Sequence, residues 1–186
     1  MNLSEKPLDL DLWLDKSVIQ RQNLLNAEFT AILEEVGNEI TPSLLQQVTP
    51  SSRGIKLSRG NDLLGFPYLV LDLIRDFDPV NGVNIRLLNW FGHGFFIAIL
   101  LGELKNNPID QIINYGFSYG LSERKWDYPD LIVNQNLSVN RLQIEACHLG
   151  FHHWIKKLTP HSNPKVQVES LVTEIKKILR ILSLPT

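Results

Sequence analysis

From residue 55 to residue 101 the chain alternates apolar and polar positions in short runs, joined by turns too short for a crossover. Ile55 and Leu57 alternate with Lys56 and Ser58, and Leu69, Leu71 and Leu73 alternate with Tyr68, Val70 and Asp72. Val83, Ile85, Leu87, Asn89 and Phe91 alternate with Asn84, Arg86, Leu88 and Trp90. A side-chain period of two belongs to a strand with two distinct faces. Parallel neighbours need a connection of about a dozen residues, and neither Asp78-Pro79-Val80-Asn81-Gly82 nor Gly92-His93-Gly94 leaves room for one. The middle third therefore predicts an antiparallel meander. Arg59-Gly60-Asn61-Asp62 reads as a turn, residues 95–101 as a central strand apolar on both faces, and residues 117–121 as a fifth strand.

Helical spacing flanks this centre. Val18, Gln22, Leu25, Phe29, Ile32 and Val36 recur at intervals of 4, 3, 4, 3 and 4 behind Asp15 and Ser17, either of which can cap the helix, with Gly37 as its stop. Such a face can serve as a seam for a second helix or lie on the chain's own sheet. Three heptads are the low end for a coiled coil, so packing on the sheet is the expectation. Thr41-Pro42, Asn107-Pro108 and Asn163-Pro164 each place proline at a helix start. The last of these opens a broad apolar stripe of Val168, Leu171, Val172, Ile175, Ile178, Leu179 and Leu182. Residues 138–158 also read as a helix, with Ile144, Cys147, Phe151, Trp154, Ile155 and Leu158 on one side. In residues 1–14, Leu8, Leu10, Leu12 and Leu14 alternate with Asp9, Asp11 and Trp13, which suits an edge strand or an extended arm. Together these features predict one α+β domain over residues 1–186, an antiparallel sheet of four to five strands covered by amphipathic helices.

Composition narrows the class. The chain has 186 residues, 44% hydrophobic and 20% charged, with a formal net charge of −2, which fits a globular chain with an ordinary core. The charge balance lacks the basic excess of a nucleic-acid binder, and a lone cysteine suits a reducing compartment. Residues 87–101, the most apolar stretch, carry Asn89 and His93 and are broken by Gly92 and Gly94, so no membrane span is expected there. With acidic residues early and no apolar run at the start, no secretory signal is expected either, and the expected location is cytoplasmic.

Three stretches show a resemblance. Lys56-Leu57-Ser58-Arg59-Gly60-Asn61, the Gly65-Phe66-Pro67-Tyr68 run continuing to Asp72, and residues 86–95 resemble a small family of uncharacterised bacterial proteins of about this length. Its members carry comparable K-[IL]-S-[KR]-G-[EN]-N, G-[LF]-P-Y and W-[FW]-G runs. Trp126 corresponds to a later family tryptophan, often followed by paired histidines, from which Asp127-Tyr128-Pro129 departs. The resemblance implies a coherent domain and assigns no function or residue role.

Candidate chemistry is sparse, and no residue is assigned a catalytic role. On the helix expected over residues 138–158, Arg141, Glu145, His148, His152 and Lys156 share one face, so Glu145, His148 and His152 form a candidate divalent-metal set. A solvated helix face accounts for the same pattern. Without that metal no cofactor is expected. Arg59, Asp62, Asp72 and His93 form a candidate ligand-binding group if the turns converge, with Asp76 and Asp78 nearby, although aspartate is common in turns for local hydrogen-bonding reasons. The expected function is a non-enzymatic interaction or adaptor protein that engages a protein partner or a second copy, without nucleic acid or membrane. The alternative is a small-ligand-binding or metal-assisted enzyme using Glu145, His148 and His152.

Overall fold

The computed structural model describes residues 6–50 and 52–183. In chain order it runs α1 (Leu10–Leu14), α2 (Lys16–Glu39), α3 (Pro42–Gln46), β1 (Lys56–Leu63), β2 (Phe66–Arg75), β3 (Val83–Trp90) and β4 (Gly94–Gly102). There follow α4 (Ile109–Asn114), β5 (Ser118–Gly120), α5 (Tyr128–Asn134), β6 (Leu137–Ser138), α6 (Arg141–Glu145), β7 (Phe151–Leu158) and α7 (Pro164–Ser183).

The meander is present as read: β1 to β4 pair in sequence, each antiparallel to the next. The sheet is wider than four or five strands. Its order is β1-β2-β3-β4-β7-β5-β6, seven strands, with every neighbouring pair antiparallel. The additional width comes from residues 137–158, where a helix was expected. That helix does not exist: α6 stops at Glu145, Gly150 takes φ +66°, and β7 then pairs along β4 from Phe95↔Leu158 to Gly102↔Phe151. A positive φ costs glycine nothing and most other residues a great deal, so Gly150 turns the chain into β7.

Two more expectations change locally. Arg59 to Asp62 belong to β1, and the turn lies one step later, at Leu64 and Gly65, with φ +51° and +86°. Gly60 is needed in the strand because a Cβ there would meet the Tyr68 ring at 2.4 Å. Within the first segment, Leu10–Leu14 form α1, which Asp9 caps by accepting a hydrogen bond from the Leu12 amide at 2.9 Å, so these residues are not an edge strand. Residues 1–5 lie outside the described residues.

The alternation of β2, β3 and β4 gives the sheet two faces, and each is covered. On one, Leu69, Leu71, Val83, Ile85, Leu87, Phe95, Ile97 and Ile99 pack against Leu33 and Val36 of α2 and Leu171, Ile175 and Ile178 of α7. A bulge between Asp72 and Ile74 turns both Leu73 and Ile74 toward this core. On the other face, Val70, Leu88, Trp90, Phe96 and Ile155 meet Tyr128, Leu131 and Ile132 of α5. Among the described residues no helix is long and apolar enough to cross a membrane.

Candidate functional site

α2 is one continuous helix with two environments. Asp15 caps it, accepting from the Val18 amide at 3.0 Å, and it runs past Gly37, the expected stop, to Glu39. In its second half the apolar stripe lies on the sheet: Ile32, Leu33 and Val36 are buried, and Phe29 packs edge-on against Phe91 and Phe95, with ring centroids 5.9 and 5.4 Å away. Phe91 and Phe95 flank the β3–β4 hairpin, so α2 leaves the sheet at that end. Toward the N-terminus the same stripe continues over Leu25, Gln22 and Val18 with nothing beneath it. From residue 6 to residue 28 every residue is exposed except half-buried Asn26. At about 1.5 Å per residue, the free part of α2 is roughly 20 Å long.

The exposed surface of this arm is strongly apolar. Among the described residues, nine of the nineteen exposed large hydrophobic residues are Leu8, Leu10, Leu12, Trp13, Leu14, Val18, Ile19, Leu24 and Leu25. Trp13 is 72% exposed and Leu24 61%. Taking about 150 Å² for a fully exposed large apolar side chain, they present roughly 750 Å². The largest apolar patch on a typical monomer is about 300–600 Å² and commonly functional. Val18, Arg21, Gln22, Leu24, Leu25 and Glu28 line a shallow groove along the arm.

The candidate metal trio is dispersed. Glu145 ends α6 and is held by Arg141 at 2.8 Å; His148 lies exposed in the following loop; His152 is on β7, with Nδ1 3.3 Å from the Tyr119 hydroxyl. Burial lowers the His152 pKa against an opposing contribution from Glu103. The shared face existed only on a helix that β7 replaces. Among the described residues no group of three His, Cys, Asp or Glu stands together as a metal set. Cys147, expected on that helix, is half-buried in the loop after α6.

The candidate ligand group is also spread out. Asp62 sits in the β1–β2 hairpin and accepts from the Gly65 amide at 2.9 Å. His93 stacks on Trp90 at the β3–β4 turn, ring centroids 3.8 Å apart, with Phe66 edge-on. Arg59 is exposed on the edge strand opposite Leu69. Asp72 pairs across the strands with Arg86, while Tyr68, at the hairpin end, pairs with Trp90. Asp72 lies four positions along the strand from Tyr68, roughly 13 Å away. Asp76 and Asp78 accept turn hydrogen bonds from the amides of Asp78, Val80 and Asn81.

Asp72 instead joins a polar cluster under α5 that sequence reasoning missed. Its Oδ1 is 3.1 Å from Arg86 Nη2; Arg86 Nε donates to Asn84 Oδ1 at 3.1 Å, and its guanidinium lies under the Trp126 and Tyr128 rings at 5.0 and 5.5 Å. Asp127 beside it is held below the usual carboxylate range, chiefly by the Ser122 hydroxyl and then by Asp130 and Arg124. His153, 2% exposed, sits against Tyr128 with Nδ1 unpartnered, and burial pushes its pKa down to about 4. Asp72 is paired with Arg86 and Asp127 with Arg124, which suits a brace between sheet and α5.

A third cluster ties α7 to β7. Glu174 accepts from the Tyr115 hydroxyl at 2.8 Å and from Lys156 Nζ at 2.6 Å, and Lys156 lies 3.9 Å from the centre of the Tyr115 ring. Burial first, then the hydrogen bond to Glu174 and its charge, raise the Tyr115 pKa above the ordinary phenol range.

No protein family, curated protein or solved structure matches this chain.

Proposed function

We propose that the protein is a non-enzymatic interaction protein and that the α1–α2 arm is its docking element. The observation that carries this reading is the interrupted use of one helix face. Phe29, Ile32, Leu33 and Val36 are covered by the chain's own sheet, whereas Val18 and Leu25 on the same stripe are 40% and 43% exposed. Exposed apolar surface of this extent is costly in water, and burying it against a partner gains about 25 cal/mol per Å² before the costs of association. The polar clusters support the same reading: their charged groups are committed to holding α5 and α7 on the sheet.

The test is site-specific photo-crosslinking in the expressing cell. A photoreactive residue at position 24 or 25 should give discrete crosslinked species, and one at exposed Lys157 on β7 should not. No crosslinked species at any arm position would refute the docking role, whatever the partner.

A further inference from the structure

We infer that the occupant of the arm is a second copy of this chain, with the free halves of the two α2 helices paired antiparallel about a two-fold axis. This rests on the docking role proposed above. The free half of the helix carries Val18, Gln22 and Leu25 at intervals of 4 and 3, a spacing that a second helix can meet as a seam. A matching unused helix seam is needed on the partner. α7, the other long helix, has Leu171, Ile175, Ile178, Leu179 and Leu182 buried in the chain's own core. Another copy of α2 supplies the match, and a two-fold makes the patch self-complementary.

The flanking charges select the direction. With Val18 and Leu25 at d and Gln22 and Phe29 at a, Arg21 and Glu28 both fall at g, a heptad apart, beside the seam and in the groove. In an antiparallel pair, g faces g across the interface. When the Gln22 layer of one helix meets the Leu25 layer of the other, Arg21 of each copy lies next to Glu28 of its mate. In a parallel pair g faces e, and the e positions here are Ile19 and Asn26, which offer no opposite charge. The same two-fold carries α1, with Trp13 and Leu14, about 15 Å past the axis, alongside the partner's body.

The experiment is sedimentation equilibrium on the full chain over a range of concentrations, with three variants checked for an unchanged circular-dichroism spectrum and melting transition of the body. The wild-type chain should dimerise. Leu25→Asp should leave monomer only, and Arg21→Glu should raise the dimer Kd about tenfold, since two ion pairs become two like-charge contacts. The double exchange Arg21→Glu with Glu28→Arg should restore the dimer to within a few-fold of wild type. A wild-type monomer at every concentration would overturn the second copy as occupant while leaving the docking role to the crosslinking result. A dimer indifferent to Leu25→Asp, or a double exchange that fails to restore association, would overturn the antiparallel seam.

Discussion

His153 makes stability depend on pH in a way that one substitution isolates. It is 2% exposed, lies between β7 and α5 with the Tyr128 ring against it, and faces the charges of Arg86 and Asp127. Its folded pKa is about 4 against 6.5 for the free side chain, with burial the largest cause, Arg86 adding to it and Asp127 opposing. Between these values the unfolded chain binds a proton that the folded chain refuses. Stability is therefore complete above about pH 6.5 and is lost as pH falls toward 4, by about 3 kcal/mol in all and about 2 kcal/mol by pH 5. The perturbation is His153→Leu, which keeps the volume, removes the titration and removes the unpartnered Nδ1. Denaturant unfolding of both proteins from pH 8 to pH 4.5, at a concentration where association is absent, gives the difference curve. Carboxylates and His152 titrate in both proteins and cancel. The wild type should lose about 2 kcal/mol more than the variant between pH 7.5 and pH 5. Parallel curves would refute the claim that His153 is held neutral in the fold.

Other substitutions probe separate parts of the account. Arg86→Met strips the partner from Asp72, and since the two side chains are only 13% and 14% exposed, unfolding should become easier by about 3 kcal/mol. Adding Asp72→Asn should recover most of that in the same denaturant titration. Leu33→Ala and Leu25→Ala change the same helix, yet Leu33 is fully buried and Leu25 is 43% exposed. Calorimetry of the monomer should show a loss of about 2–5 kcal/mol for the first and no more than about 0.5 kcal/mol for the second. Gly60→Ala drives a methyl into the Tyr68 ring and should cost about 1–3 kcal/mol by chemical denaturation.

The meander was legible because strand period and short turns act locally. Leu69, Leu71 and Leu73, and then Val83, Ile85 and Leu87, reveal their shared face without reference to any distant residue. The strand at residues 151–158 was not legible from its own pattern. Ile144, Cys147, Phe151, Trp154, Ile155 and Leu158 recur as on a helix, while Phe151, His153 and Ile155 also alternate with His152, Trp154 and Lys156. What decides between the periods is long-range. β4 is buried on both faces, so it is interior to the sheet and needs a neighbour on its free edge; β7 provides eight paired positions there. The all-apolar run at 95–101 already implied such a neighbour, and Gly150 marked where it begins. The helix that grouped Glu145, His148 and His152 on one face is replaced by α6, a loop and β7.

The exposed arm was half legible. The 4-3-4 spacing of Val18, Gln22, Leu25 and Phe29 admitted a seam or a sheet-facing stripe, and α2 lays its second half on the sheet while its first half stays exposed. A spacing argument cannot reveal where a sheet ends beneath a helix. The local hints were Gln22 within the stripe and Ile19 and Leu24 off it, an apolar excess that one buried face does not require. The brace around Arg86 was hidden for a different reason: Asp72, Arg86, Trp126 and Tyr128 come from β2, β3 and the segment leading into α5, and only the folded chain brings them together.

Residue-resolved hydrogen exchange on dilute, monomeric protein tests the division of α2 most directly. Amides of residues 30–39, backed by the sheet and α7, should exchange slowly through global opening, and those of residues 19–28 should exchange orders of magnitude faster because nothing packs on them. Uniform slow exchange from residue 19 to residue 39 would mean that the whole helix rests on the chain's own body, and the free apolar arm would not exist.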